Sequence, residues 1–335
     1  MLKPEYTMNG LDVADDMGSN GSAHMRALGT LLRNNLDLLE PAVLRKMETA
    51  LEKQIDQNLK PDEWVEVQVF DLARSLVVAG NSVAFFGEEL TSHEFFVDAA
   101  FQYPQDLFTT AEILRLLPGF AAPYLGPKLM SHHKASQTLL ASMSPVILQR
   151  LDALKDNAGE KSIDVMQFFI ESMVKDRRID WPVTKIISVV LGMWFASIHQ
   201  PLLTLVYAIN DLCYRSEYVS VLRQEMDELA PGGSVENLHF LDAFMKESAR
   251  LSPSDSISCR RQAVKPFTFK DGTHIEAGEV VCVPSTQIML DNRIYPERQK
   301  FDPYRFMSNG VVANGNRFAD ATEIYPLWSL GRHVW

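Results

Sequence analysis

The sequence is poor in cysteine and in clustered positive charge. Its 335 residues include 3 cysteines, and 32 Lys+Arg stand against 43 Asp+Glu, giving a formal net charge of −11. Three cysteines at wide spacings, with no CxxC pair, exclude a disulfide framework and indicate reduced thiols. Lysine and arginine never form a run longer than two residues, which argues against a nucleic-acid partner and an anionic membrane surface.

The sequence also lacks internal repeats, segments of low complexity and linkers rich in glycine, serine and proline. We therefore predict one domain over residues 1–335. The first residues are acidic and contain no apolar stretch, so we expect neither a secretory signal nor a membrane anchor in this chain.

Apolar residues, in contrast, are plentiful. They make up 46% of the chain, and 18 residues are Phe, which is typical of a globular protein with a large core. One stretch, 186–210, has no charge and is long enough to span a bilayer. Its centre is the polar triplet His199-Gln200-Pro201, which would lie at the most costly depth of a membrane. We therefore predict a buried central helix.

Helical periodicity dominates from about residue 22 to 252. Pro41 is expected to open the first clear helix, and apolar spacing predicts helices over 42–57, 62–79, 107–116, 136–156, 163–175, 183–210, 214–229 and 236–251. Helices over this part of the chain predict a mainly α protein.

The period changes after about residue 253. Phe267 and Phe269 alternate with polar residues and are followed by Asp271-Gly272, which predicts a short hairpin, and 280–283 predicts one further strand. The remainder, 291–335, is expected to be irregular. The predicted fold class is thus mainly α with a small segregated β subdomain over about 253–335.

Three motifs follow one another late in the chain. Glu247 and Arg250 lie three residues apart in KESAR, a spacing that ordinary surface pairs share. Segment 290–306 begins LDNRIYPE and ends FDPYRF, and 328–335 reads WSLGRHVW. Together they resemble the cytochrome P-450 (haem-thiolate monooxygenase) superfamily, in particular fungal members that tailor terpenoids and other secondary metabolites. The resemblance covers essentially the whole chain and implies a cytochrome P-450-like fold.

The resemblance implies roles for several residues. Glu247, Arg250 and Arg305 match a buried ion network of the family, in which one carboxylate lies between two guanidinium groups. Arg261 and His333 match positions that contact the haem propionates, if haem is bound. Ordinary surface or loop pairing would account for these two residues equally well.

Two departures from the family pattern concern its chemistry. Trp335 stands at the position of the family's axial cysteine, and an indole is no ligand for iron, so the sequence as written predicts no metal and no cofactor. In the central helix Gln200 replaces a threonine that relays protons in the family, and Pro201 follows it. A proline inside a helix removes one backbone hydrogen bond.

Relative to the family, the fold is expected to be incomplete at both ends. The anchor, the first helices and part of the larger sheet have no counterpart before Met1, and the helix behind the haem has none after Trp335. An unpaired sheet edge can bind another strand, so we expect pairing through that edge. We expect a cytoplasmic location, with peripheral attachment to the endoplasmic reticulum as the alternative.

Three functions remain open from the sequence. The first is a non-redox enzyme of fungal, terpenoid-type metabolism that catalyses an intramolecular cyclisation such as a Diels-Alder reaction. Its hydrophobic small-molecule substrate would bind in an apolar pocket lined by Trp194, Phe195, Ile198 and segment 254–258. His199 and Gln200 are the candidate hydrogen-bond donors, although His199 could equally be a satisfied core residue.

The second function is a haem-dependent monooxygenase that hydroxylates terpenoids. If an intron splits the cysteine codon, an unspliced junction would read as Trp followed by stop, and the true C-terminus would restore the Cys and the haem. The third is a non-catalytic remnant or an accessory protein of an intact monooxygenase.

Overall fold

The structure, a computed structural model, describes residues 4–7, 23–56, 65–156, 161–175, 181–230, 233–313 and 315–330. The chain divides into two compact units, Met1–Leu202 and Leu203–Trp335. The boundary falls inside one continuous helix, so the prediction of a single domain stays a prediction.

The regular secondary structure of the first unit, over its described residues, consists of helices. Its helices are α1 (Pro4–Thr7), α2 (Ala23–Arg26), α3 (Leu36–Asp56), α4 (Val69–Thr91), α5 (Glu94–Leu116), α6 (Ala122–Leu129), α7 (Lys134–Asp156), α8 (Val165–Lys175) and α9 (Val183–Tyr214), which continues into the second unit. A π-helical turn, Ala27–Leu32, follows α2.

Helix α9 confirms the predicted central helix, because its first half belongs to the largest hydrophobic core. Trp194 is fully buried there, and its indole packs against Phe85 and Phe86 with ring centroids 5.4 and 4.9 Å away. By length and composition α4 and α9 could each cross a membrane, yet 44% and 50% of their most apolar windows are buried inside the protein.

The second unit contains shorter helices and all the described strands. They are α10 (Glu217–Glu228), α11 (His239–Leu251), β1 (Ser258–Gln262), β2 (Phe267–Thr268), β3 (His274–Ile275), β4 (Val280–Val283), α12 (Ser285–Met289), β5 (Met307–Ser308) and β6 (Val311–Val312). Each strand has one antiparallel partner among the described residues: β1 pairs with β4, β2 with β3 and β5 with β6.

The predicted hairpin is confirmed as β2 and β3. Phe267 lies opposite Ile275, and Gly272 takes a φ of +90°, which favours glycine in the turn between the strands. The predicted strand over 280–283 is β4, in which Val281 lies opposite Arg261 of β1. Segment 291–335 is less irregular than expected, since it contains β5, β6 and two short 3-10 turns.

Two helix boundaries were predicted wrongly because a proline lies inside a helix. Helix α3 begins before Pro41. The carbonyl that Pro41 leaves without a helical donor belongs to Asp37, which is exposed and can therefore bind water. Helix α5 begins at Glu94 rather than near residue 107, and it continues through Pro104.

Candidate functional site

The turn of α9 around Pro201 is held by a side chain from another helix. Pro201 has no N–H group, so the carbonyl of Ser197 lacks its helical donor. Nδ2 of Asn81, on α4, donates a hydrogen bond to that carbonyl at 2.7 Å. The amide therefore replaces the bond that the proline removes, and α9 continues to Tyr214.

In helix α5, too, a side chain from another helix donates to the carbonyl that a proline, Pro104, leaves free. The carbonyl that this proline leaves free belongs to Ala100, and Nε1 of Trp194 donates to it at 2.6 Å. An indole N–H in a core needs an acceptor, and a helix interrupted by proline offers one. The contact explains why Trp194 is fully buried on α9.

His199 lies between two aromatic rings. The ring centroids of Phe108 and Phe195 are each 6.2 Å from that of the imidazole. Burial lowers the pKa of His199, although a hydrogen bond to the backbone of Pro104 opposes this shift. The ring is therefore neutral at pH 7, and Nε2 is shielded from solvent with no hydrogen-bond partner among the described residues.

The hydrogen-bonding role that this ring offers a ligand depends on which nitrogen carries the proton. A neutral imidazole carries one N–H, which the backbone of Pro104 favours on Nδ1, since Nε2 has no partner among the described residues. In that tautomer Nε2 of His199 is a hydrogen-bond acceptor. The role of His199 as a donor to substrate stays a prediction.

Gln200 adds a second acceptor to the same turn. Its Oε1 is shielded from solvent and also has no hydrogen-bond partner in the described parts of the chain. Of the predicted pocket residues, Trp194 and Ile198 are fully buried in the core, whereas Phe195 is half-buried beside His199. Their role as pocket walls stays a prediction.

In the second unit, Glu247, Arg250 and Arg305 come together as expected. Both carboxylate oxygens of Glu247 accept from Arg250, at 2.6 and 2.8 Å, and Nε of Arg305 donates to Oε1 at 3.0 Å. Glu247 and Arg250 are fully buried. The backbone N–H of Asp302 also donates to Oε1, at 2.9 Å, so the carboxylate connects α11 to the segment 301–306.

The remaining guanidinium groups of this network are also satisfied. Nη1 of Arg250 donates to the carbonyls of Met289 and Arg298, both at 2.8 Å, and Arg305 donates to the carbonyls of Pro296 and Lys300. A network in which every charged group has a partner stabilises the unit. It leaves no hydrogen-bond donor or acceptor free to bind a ligand.

Sequence reasoning did not single out Lys246, which precedes Glu247. Its side chain is buried, Nζ donates to the carbonyl of Arg317 at 3.0 Å, and the ammonium lies 4.6 Å from the ring centroid of Tyr325. Burial lowers the pKa of Lys246 to about 8, opposed by Asp320 and Asp242. A lysine next to a glutamate on an amphipathic helix is usually solvated, so the sequence carries no signal for this position.

Other predicted site residues are less constrained. Arg261 is exposed, and its Nη1 donates to the carbonyl of the neighbouring Arg260 at 2.9 Å. His333 and Trp335 lie outside the described residues. In the described part of the chain no group of three or more His, Cys, Asp or Glu could hold a metal ion.

The fold and the motifs agree with a family comparison. The sequence model of the family described as cytochrome P450 matches residues 24–319. This chain belongs to the cytochrome P450 family. The predicted fold class and the resemblance to fungal members are thereby confirmed.

The relatives of this P450 chain include fungal oxygenases. It is 30% identical over 316 residues to the cytochrome P450 monooxygenase olcJ of Penicillium canescens, covering 91% of this chain and 59% of that protein. It is 28% identical over 290 residues to an ent-kaurene oxidase of Gibberella intermedia, covering 84% of this chain and 54% of that protein. The chain thus spans about three fifths (59%) of the length of the first relative.

A solved structure supports the fold. The retinoic acid-bound cyanobacterial CYP120A1 matches with a TM-score of 0.70 and 19% sequence identity, covering 93% of this chain and 66% of that one. At this identity the match establishes the fold alone.

Family membership implies haem, so the cysteines decide whether this chain can supply the axial thiolate. Cys213 and Cys282 are exposed. Sγ of Cys259 lies 2.9 Å from Oγ of Ser329. None of them follows the Gly-Arg-His sequence over 331–333, where the family's ligand stands, and Trp335 occupies that place. The residues present do not fit a thiolate-bound haem at this position, and we derive no step through it.

Proposed function

We propose that this chain is a P450-family enzyme of fungal secondary metabolism that folds an apolar, terpenoid-sized molecule and catalyses its non-redox cyclisation. The central turn of α9 carries the proposal, because two buried acceptors, on His199 and Gln200, have no partner among the described residues. Holding one folded conformer of a flexible substrate lowers the entropy cost of ring closure, and this requires no metal.

Two features support this proposal. The Glu247 network keeps the family's architecture in the second unit. Gln200 and Trp335 stand where the resemblance implies two residues of the family's oxygen chemistry, and they do so at separate positions of the sequence. A cytoplasmic location, with peripheral attachment to the endoplasmic reticulum as the alternative, belongs to the same proposal.

A second candidate function is terpenoid hydroxylation by a haem monooxygenase. The names of the relatives favour it, since they include monooxygenases and ent-kaurene oxidases. This function requires a transcript that continues into a cysteine at position 335. A third candidate is an accessory protein, for which the two-stranded sheet of β1 and β4 offers strand edges to a partner.

The visible spectrum of the purified chain distinguishes these functions. We expect a colourless protein, with helical circular dichroism as evidence of folding and no Soret band after addition of haem, reductant and carbon monoxide. The band typical of thiolate-bound haem would overturn the non-redox proposal. A transcript that encodes Cys in place of Trp335 and continues beyond it would overturn the non-redox proposal in favour of the monooxygenase.

Absence of any product from folded chain supplied with terpenoid polyenes would favour the accessory role. If a partner binds the edge of β4, the strand-blocking variant Val281→Pro should weaken that binding. The exposed-site control Val264→Pro should leave it unchanged.

A further inference from the structure

We propose that the α9 turn binds a hydroxyl group of the substrate and that Nε2 of His199 accepts its proton. This inference rests on the proposed function and names its substrate class: an apolar molecule that carries an alcohol. In this reaction His199 first removes a proton from the substrate, whereas in the role predicted from the sequence it donates a hydrogen bond to the substrate.

The argument begins with the unsatisfied acceptors. A buried polar atom without a partner costs about 1–3 kcal/mol, and native proteins contain few of them. The turn of α9 has one on each of two consecutive residues, Nε2 of His199 and Oε1 of Gln200. A ligand that donates hydrogen bonds would remove this cost.

The surroundings select the kind of donor. Phe108, which is 49% exposed, and the half-buried Phe195 flank the imidazole, and Ile198 next to it is fully buried. An ammonium ion would lose its hydration in such a place without a counter-charge. A hydroxyl group on a hydrocarbon skeleton donates one hydrogen bond and carries no charge, so it fits both the acceptors and the apolar walls.

The backbone of Pro104, on α5, favours the tautomer with the proton on Nδ1. That tautomer leaves the lone pair on Nε2, which has no partner among the described residues, for the ligand. Asn81 holds the same turn through Ser197. Both contacts come from helices of the first unit, so the acceptor is held on a rigid support.

The chemical step balances without an oxidant. The hydroxyl oxygen attacks the electron-poor carbon of a C=C bond that is conjugated to a carbonyl in the same molecule. A C–O bond forms, the π electrons move to an enolate, and the O–H proton passes to Nε2 of His199. The imidazolium then returns the proton to the α-carbon, so that the product is a cyclic isomer of the substrate.

Binding of a matched pair of probes tests the site independently of turnover. Geranylgeraniol carries the hydroxyl, and its O-methyl ether has the same skeleton without the donor. We expect the wild-type chain to bind the alcohol about tenfold more tightly, a difference of one hydrogen bond. His199→Phe should lose this preference, whereas His93→Phe, at an exposed histidine immediately before α5, should retain it.

The same wild-type protein provides a second measurement. Below the lowered pKa of His199 both ring nitrogens carry a proton, so Nε2 no longer accepts a hydrogen bond and the preference for the alcohol should disappear on acidification. The pKa depends on burial and on the backbone of Pro104, with no charged side chain contributing. Equal binding of alcohol and ether at pH 7 would overturn the acceptor site alone. Failure to bind either probe would overturn it together with the proposed apolar substrate.

Discussion

Two buried polar regions of this chain differ in how completely they are satisfied. Around Glu247 on α11, each carboxylate oxygen and each guanidinium nitrogen has a partner. In the turn of α9, Asn81 donates to the Ser197 carbonyl that Pro201 leaves without a helical donor. Nε2 of His199 and Oε1 of Gln200, however, have no hydrogen-bond partner among the described residues. Complete satisfaction fits a structural role, and the unpartnered acceptors on two consecutive residues of α9 are the basis for the proposed ligand site.

The comparison also separates what the chain shares with its family from what it has changed. Glu247, Arg250 and Arg305 form the ion network that the family resemblance implies. In the turn of α9 the resemblance implies a threonine where Gln200 stands, and Pro201 follows. Removing side-chain groups from the α11 network should therefore destroy structure. Removing side-chain groups from the α9 turn should alter ligand binding and local stability.

The largest effect is expected for Arg250→Met. It leaves the Glu247 carboxylate fully buried with Arg305 as its remaining cationic partner, and breaking a buried pair costs about 3–5 kcal/mol. Amide hydrogen exchange of α11, measured with and without urea, should show loss of protection. The matched control is Arg293→Met, whose pair with Asp291 is screened by solvent at the surface and should contribute little to stability.

Equal effects of Arg250→Met and its surface control would contradict the view that the α11 network is structural. Reduced protection confined to the second unit would support it.

A smaller effect is expected for Asn81→Ala. The substitution leaves the Ser197 carbonyl without a donor, which should lower the free energy of unfolding by about 1–3 kcal/mol. In a Pro201→Ala background the restored backbone N–H can donate to that carbonyl, so the effect of Asn81→Ala should fall. Urea unfolding of the four proteins in this double-mutant cycle measures the coupling.

Additive effects of the Asn81 and Pro201 substitutions would show that the amide does not replace the lost helical bond. Asn81→Asp, which keeps the shape but lacks the amide donor, serves as the conservative comparison.

The smallest effect concerns pH and Lys246. Burial lowers its pKa to about 8 from an ordinary value of 10.5, so between these values the unfolded chain binds more protons than the folded one. Stability should therefore rise with pH in this window, on the order of 1 kcal/mol per unit. Urea titrations from pH 7.5 to 9.0 stay below the ordinary tyrosine pKa of 10.0, near which the unfolded chain begins to lose the proton that buried Tyr295 keeps.

Lys246→Met should remove this rise while Lys270→Met, at an exposed lysine of the β2–β3 turn, should keep it. A wild-type protein whose stability falls over the same range would contradict the assignment to Lys246.

The sequence predicted much of the fold because local patterns carry it. Helical spacing identified α7, α8 and α11 to within a few residues, and Asp271-Gly272 identified the hairpin. It failed where a distant side chain compensates a local defect. Helix α5 was shortened in the prediction because nothing near Pro104 shows that Trp194 satisfies the freed carbonyl.

The candidate site divides in the same way. The spacing of Glu247 and Arg250 is a local feature of a helix, and the sequence assigned it correctly to a buried network through the family resemblance. His199 was also singled out from the sequence, and its chemical role stays a prediction. Its surroundings include a residue on another helix, since the ring of Phe108 on α5 lies 6.2 Å from the imidazole.

The sequence by itself determined the family resemblance and the positions of several long helices and one hairpin, because these depend on residue identity and spacing. Only the tertiary structure decided that Asn81 and Trp194 satisfy the carbonyls freed by two prolines, that Lys246 is buried, and that Nε2 of His199 has no partner among the described residues. Hydrogen bonds between distant segments fix these properties, and the spacing of residues along one segment does not record them.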